Sequence, residues 1–470
     1  MTLIKSISGI RGTIGGAPGD ALTPIDIVKF TSAYARQLQR KFPSQKCYKV
    51  VVGRDARISG KMVDSIVCGT LMACGIDVVN AGLASTPTTE MAVIFQNADG
   101  GIILTASHNP KQWNALKLLN EKGEFLTAEE GATLLEIAES NDFDYKNVDS
   151  IGRMECKDFT QAHIDAVLSY PLVDLKAIKA AGFKVVLDAI NSVGGIVMPK
   201  LFEALGVECV TINGEPTGYF AHNPEPIPSN LTDLSAAVVA GGADLGVAVD
   251  PDVDRLAFIS ENGEAFGEEY TLVAVADYVL SHRKGATVSN ISSSRALKDV
   301  TEAYGCQYYS CAVGEVNAST MMQKVNAVIG GEGNGGVIVP DFHYGRDALI
   351  GAALFLSLMA QKKLSASALR ATYPDYFLSK NRIEISDPAV IDSLIEAVKE
   401  HYSSERITSI DGLRVDFDEE KKWFVLRKSN TEPIIRIYAE APTEIVAEAL
   451  AQEVISILST RYSDFITQNS

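Results

Sequence analysis

Ser107 and His108 lie in Thr105-Ala106-Ser107-His108-Asn109-Pro110, directly after the apolar run Gly101-Ile102-Ile103-Leu104. That run is short and β-branched, which predicts a buried strand. Pro110 prevents its simple continuation, so Ser107 and His108 are expected on a turn at a strand end. A serine there is a candidate nucleophile and an adjacent histidine a candidate base. The same residues would also suit a turn whose Ser and Asn cap a helix. Lys117, on the same segment, tips the reading toward chemistry.

A second cluster, Asp250-Pro251-Asp252-Val253-Asp254-Arg255, follows the apolar run 243–249. Three carboxylates this close repel one another unless a cation lies among them. An all-oxygen donor set favours Mg²⁺, which keeps room for water or a phosphate oxygen. Arg255 is placed to meet the same phosphate. A competing reading makes Asp250 itself the nucleophile of a phosphatase; Ser107 is then a rival nucleophile, which weakens it.

Other residues have the chemistry of binding. Arg11 stands between Gly9 and Gly12; glycine lets backbone approach a ligand and arginine binds phosphate bidentately. Gly330-Gly331-Glu332-Gly333-Asn334-Gly335-Gly336 sets one acid and one amide among five glycines. It lacks the Lys and Ser/Thr of a P-loop, and a carboxylate repels phosphate. Glu332 and Asn334 therefore read as ligands for sugar hydroxyls. Near the C-terminus, Arg427-Lys428-Ser429-Asn430-Thr431-Glu432-Pro433 and Arg436 form a candidate phosphate cradle, with Arg427, Ser429, Asn430 and Thr431 as donors. His343, Arg346 and Asp347 each read as structural.

These groups need scaffolds, and strand–helix alternation supplies them. Pro24 to Phe42 is a predicted helix, Tyr48 to Gly53 a strand ending at Arg54-Asp55-Ala56-Arg57, Met62 to Cys74 a helix and Asp77 to Asn80 a strand. That alternation predicts an α/β fold with a largely parallel sheet. Ligands gather at the carboxyl ends of such strands, where Arg54 and Ser107 fall. The pattern recurs, giving expected units at 1–155 (phosphoserine-bearing), 156–260 (metal-binding) and 261–375 (sugar-recognising). A smaller α+β unit at 376–470 follows, closed by an amphipathic helix over about 443–463.

The bounds agree. At 470 residues the chain is too long for one core. Its 46% hydrophobic and 21% charged content is ordinary for a soluble protein. No run of ~18 apolar residues predicts a membrane span, and the N-terminus does not lead into a signal-peptide core. Seven scattered cysteines suit a reducing cytoplasm. The net charge of −17 disfavours nucleic acid as a partner. An anionic substrate must then be drawn by a locally basic pocket.

Taken together, these motifs resemble the α-D-phosphohexomutase family over the whole chain. Thr105–Pro110 matches its phosphoserine loop and Asp250–Arg255 its metal loop; Gly331–Gly336 resembles its sugar loop and Arg427–Pro433 its phosphate loop. The resemblance implies three related α/β domains with mixed, mostly parallel sheets, plus a smaller C-terminal α+β domain, around a central cleft. It implies that Ser107 carries a phosphoryl group, that Asp250, Asp252 and Asp254 hold Mg²⁺ with a phosphate oxygen on Ser107, and that Arg11, His108, Lys117 and Arg255 surround the transferring phosphate. Lys117 or His108 would do the acid–base work. The implied reaction interconverts hexose 6-phosphate and hexose 1-phosphate through a hexose 1,6-bisphosphate. The expected partners are small hexose phosphates, with no nucleic acid and no membrane, and the expected state is a monomer or homodimer. The pattern is most similar to phosphoglucosamine mutases, which favours glucosamine phosphate; a broad phosphoglucomutase/phosphomannomutase is the alternative, with a phosphatase or a non-catalytic sensor behind it. Three positions depart from the family's habit: Ser8 replaces an aromatic residue, Gly336 a histidine and Val316 a Lys or Arg. Gly333, Asn334 and Gly336 predict a roomier sugar pocket.

Overall fold

The computed structural model describes residues 2–6, 9–45, 47–385, 387–428 and 434–469, with side chains to 463. Ser8 and three of the expected phosphate ligands, Ser429, Asn430 and Thr431, lie outside the described residues.

Four sheets follow one another along the chain. In the first, Gly100–Leu104 is flanked by Tyr48–Arg54, and Ile76–Leu83 and Met154–Cys156 extend the same parallel array. On its other side the sheet turns antiparallel, through Trp113–Leu119, Gly9–Thr13 and Ile4–Ser6. The expected parallel dominance therefore holds on only one side. Just eight residues join Gly100–Leu104 to Trp113–Leu119, too few for a parallel crossover. The return sets Lys117 directly opposite Ile103, two residues before the Ser107 loop begins.

The second sheet orders Leu256–Ser260, Leu245–Val249, Lys184–Asp188 and Glu208–Ile212, with the first strand antiparallel. The third has Tyr308–Cys311, Thr287–Asn290 and Ile329–Glu332 parallel, then Gly336–Val339 and His343–Arg346 antiparallel. Strands 100–104, 245–249 and 329–332 are buried at every residue, because helices cover both faces of each sheet. The second and third units share one apolar cluster, in which Phe258 stacks on Phe355 at 3.9 Å and Phe266 meets both edge-on. A change of sheet near residue 260 is thus not a break in the core.

The fourth sheet is wholly antiparallel: Phe377–Glu384, Ile434–Ala441, Lys422–Lys428, Leu413–Phe417 and Arg406–Thr408. Alternation splits its faces. Leu413, Val415, Phe424, Leu426, Ile435 and Ile437 pack under helices Ile391–His401 and Glu444–Asn469. The last helix presents Ala447, Leu450, Ala451, Val454 and Leu458 to them, at helical spacing. The opposite face turns Trp423 and Val425 onto Ile291 of the third unit. Glu440 fastens that contact, accepting from the backbone N–H of Arg295 at 2.9 Å and from Trp423 Nε1 at 2.6 Å. All seven cysteines are free thiols. Among the described residues no helix is long and apolar enough to cross a membrane.

Candidate active site

The turn after Gly100–Leu104 is held by a residue the motif does not contain. Arg57, 1% exposed, gives its fork to four carbonyls: Ser107 and Asn109 through Nη2, Pro110 and Trp113 through Nη1. Its Nε donates to Asp55 Oδ2 at 3.0 Å, which also accepts from Thr105 Oγ1 at 2.7 Å. This clamp holds Ser107 at φ 50°, left-handed backbone that a serine rarely adopts. Arg54, which the sequence put at this strand end, only donates to its neighbour's carbonyl, Asp55 O, at 3.2 Å.

Ser107 Oγ donates to Asp250 Oδ2 at 2.7 Å and lies 3.3 Å from His108 Nδ1. The other oxygen of Asp250 accepts two backbone N–H groups, from Asp254 and Arg255, at 3.2 Å each. Lys117 Nζ donates to Asp252 Oδ2 at 2.7 Å and Asp254 Oδ2 at 3.2 Å. Thr86 adds its hydroxyl to Asp252 Oδ2 at 2.6 Å, and Arg11 Nη1 reaches Asn109 Oδ1 at 2.8 Å. The Ser107 turn and the acidic cluster, far apart in sequence, thus form one cluster.

Burial sets the charge states. All three aspartates are fully buried. Burial first, then the charges of Asp252 and Asp254, pushes Asp250 well above the usual carboxylate range. Burial also raises Asp252, but Lys117 overrides it and holds that carboxyl low; Arg346 chiefly does the same for Asp254. Lys117 would lose its proton more easily through burial, yet Asp252 and Asp254 reverse the sign and bind the proton tightly. Burial, then Arg255 and Arg11, pushes His108 down to about 2, so its imidazole is neutral near pH 7.

The residues fit a divalent cation. Each aspartate offers one oxygen, and the three lie within 4.8 Å of one another. Asp252 Oδ1 and Asp254 Oδ1 are buried without a hydrogen-bond partner, as is Arg255 Nε. Orphaned carboxylate oxygens are costly unless something positive meets them. The donor set is all oxygen, which suits a hard ion.

A cavity of about 690 Å³ opens over this cluster. Its wall presents Ser107, His108, Lys117, Arg11 and Arg255, then Glu332, Asn334 and Arg427, but none of the three aspartates. The group facing ligand is therefore the serine, with Asp250 behind it. An adjoining lobe adds Arg436, Lys380 and the acids Glu225, Glu268 and Glu269. In register, Arg427 lies opposite Arg436, which lies opposite Arg382.

Two expectations change. Arg346, which read as structural, joins the cluster: it donates to Asp254 Oδ2 at 2.7 Å, Glu332 Oε2 at 2.8 Å and Glu315 Oε2 at 3.1 Å. Those partners are scattered through the chain, so no local spacing announces it. The Gly330–Gly336 loop is also not roomy. A Cβ on Gly333 would fall 1.8 Å from Glu269 Oε2, and one on Gly336 2.3 Å from Arg346 Cδ. Arg346 thus occupies the space where a side chain at 336 would begin. Glu332 is well engaged: besides Arg346 it accepts from Asn290 Nδ2 and the backbone N–H of Gly314, each at 2.9 Å. Val316 packs its apolar body against the cluster that includes Phe125 while edging the cavity.

Four family models match in order: phosphoglucomutase/phosphomannomutase alpha/beta/alpha domain I at residues 3–145, domain II at 161–263, domain III at 267–376 and the C-terminal domain at 382–457. A phosphoglucomutase/phosphomannomutase of Thermococcus kodakarensis is 37% identical, over 95% of this chain and 98% of its own. The chain belongs to the phosphoglucomutase/phosphomannomutase family. A probable phosphoglucosamine mutase of Pyrococcus horikoshii is 33% identical over 97% of this chain and 98% of its own. Among solved structures, a family protein of Burkholderia thailandensis superposes with a TM-score of 0.84 at 24% identity, covering 98% of both chains. An N-acetylphosphoglucosamine mutase of Aspergillus fumigatus, in complex with GlcNAc-6P and magnesium, shares the fold at a TM-score of 0.60 and 13% identity over 92% of this chain and 97% of its own. The chain is accordingly a phosphohexose mutase, an isomerase that moves a phosphoryl group within a sugar phosphate.

Proposed function

We propose that this mutase converts glucosamine 6-phosphate to glucosamine 1-phosphate through a phosphoserine at Ser107 and a glucosamine 1,6-bisphosphate, with Mg²⁺ as its metal. The observation that carries the serine is its position: Ser107 lines the cavity while the aspartates lie behind it. In the first half-reaction a sugar hydroxyl oxygen attacks the phosphorus, the bond from phosphorus to Ser107 Oγ breaks, and the hydroxyl proton passes to a base. In the second, Ser107 Oγ takes the other phosphate, and the proton returns to the departing sugar oxygen. When bound by Asp250, Asp252 and Asp254, Mg²⁺ supplies charge neutralisation for the transferring phosphoryl group.

Arg11 and Arg255 flank that group, and the unpartnered Arg255 Nε is one donor it would meet. Lys117 is the acid–base residue: its proton is bound by Asp252 and Asp254, so neutralising those carboxylates frees it to act. His108, neutral and a weak base, contributes a hydrogen bond at Ser107 Oγ. Arg427 and Arg436 hold the distant, non-transferring phosphate, so binding there positions the reacting end. Glu332 and Asn334 orient the ring.

For the sugar, the carboxylates of Glu225 and Glu268 in the adjoining lobe complement a 2-ammonium group. The relative named probable phosphoglucosamine mutase agrees; the one named phosphoglucomutase/phosphomannomutase supports a broad-specificity enzyme instead. The test is kcat/KM on the 1-phosphates of glucosamine, glucose and mannose, with free phosphate followed in parallel. Glucosamine phosphate should lead without net phosphate release. A preference for glucose or mannose by about tenfold, ~1.4 kcal/mol in transition-state binding, overturns the sugar assignment.

A further inference from the structure

Asp411 lies in the turn between Arg406–Thr408 and Leu413–Phe417, at the rim of the cavity. Its Oδ2 is 2.7 Å from Arg427 Nη2 and accepts the backbone N–H of Val313, from the third unit, at 3.0 Å. The turn packs directly against the strand that carries Arg427. Gly412 has φ 85°, and a Cβ there would stand 2.1 Å from Leu426 O and 3.2 Å from Arg427 Cα. Meanwhile Arg427, Arg436 and Arg382 are successive cross-strand neighbours on one face of the sheet. Like charges so paired repel, so this row attracts any anion. A carboxylate and a phosphate ester offer a guanidinium the same paired oxygens.

We propose that Asp411 is a placeholder for the substrate's distal phosphate: it holds Arg427 in the free enzyme and must yield it when sugar phosphate binds. This rests on Arg427 being the distal-phosphate anchor. Asp411 is thus a positioning residue that lowers affinity, because substrate must displace one charge-assisted pair to form another. The bond to Val313 ties the exchange to the seam between third and fourth units, so phosphate arrival there alters a contact on which the fourth unit rests.

Asp411→Asn separates charge from tether, since the amide oxygen still accepts from Val313. The test is the Kd of glucose 6-phosphate, by calorimetry, in a Ser107→Ala background where no turnover intervenes. Asp411→Asn should tighten binding by about three- to tenfold, and KM in the Ser107 enzyme should fall likewise. Damage to the fold would not raise affinity. In an Arg427→Ala background the same substitution should change little. Weaker or unchanged binding by Asp411→Asn, while Arg427→Ala weakens it, overturns the placeholder. If Arg427→Ala leaves binding intact, the anchor assignment fails as well.

Discussion

Ser107 is held in left-handed backbone by a neighbour that shares no motif with it. Arg57 reaches four carbonyls of the loop and is buried with Asp55. Removing one partner of a buried pair leaves an uncompensated charge, at about 3–5 kcal/mol. Arg57→Ala should therefore lower the unfolding free energy measured by urea denaturation by that much and abolish turnover; Arg57→Lys, with charge but no planar fork, should recover only part of either. A variant melting like wild type would show that the clamp is not needed. His108 gives a second test. With its imidazole pushed down to about 2 by burial and nearby arginines, it stays neutral throughout pH 5–8. His108→Gln should lower kcat without moving the limbs of the pH profile. An acid limb that vanishes in the variant would mean His108 titrates there after all. The sequence makes Ser107 and the three aspartates legible because each motif is contiguous. Arg57 and Arg346 are not legible, since their roles arise only when distant segments meet.

At the scale of elements, Ser107 and the three aspartates follow the ends of apolar strands, whereas Arg11 and Lys117 lie within strands 9–13 and 113–119. Runs 100–104 and 245–249 could be read because strands buried on both faces lose their polar alternation. The antiparallel return 113–119 was less visible: only the short span between it and the preceding strand forces it. The Gly330–Gly336 loop shows where composition misled. Its glycines suggest space, yet they are there because Glu269, Arg346 and the backbone of Leu256 press against them. Gly335, at φ 86°, would place a Cβ 2.3 Å from Leu256 O, and its own carbonyl accepts the Leu256 N–H at 3.0 Å. Gly335→Ala should cost about 1–2 kcal/mol in backbone strain alone. It should also raise KM by shifting Glu332 and Asn334 away from the Asp254–Arg255 turn. Wild-type KM and melting temperature would contradict this packing account.

At the scale of the molecule, a net charge of −17 surrounds a cavity lined by Lys5, Arg11, Lys117, Arg255, Arg346 and Arg427. The two act at different ranges. At ~10 mM salt the Debye length is about 30 Å, so the outer charge repels a sugar phosphate; at ~150 mM it is about 8 Å, while contacts inside the cleft are screened far less. Raising salt over that interval should therefore raise kcat/KM by about twofold or leave it level. A steep fall would mean that long-range attraction by the basic cleft dominates.

The central claim is that the phosphoryl group passes through Ser107. It is tested most directly by incubating the chain with glucose 1,6-bisphosphate, removing the sugar, and locating phosphate by intact mass and peptide sequencing. One phosphate should appear on Ser107 and leave when a hexose monophosphate is added, regenerating bisphosphate; Ser107→Ala should take up none and turn over nothing. Phosphate on Asp250, or wild-type turnover by Ser107→Ala, would contradict the account.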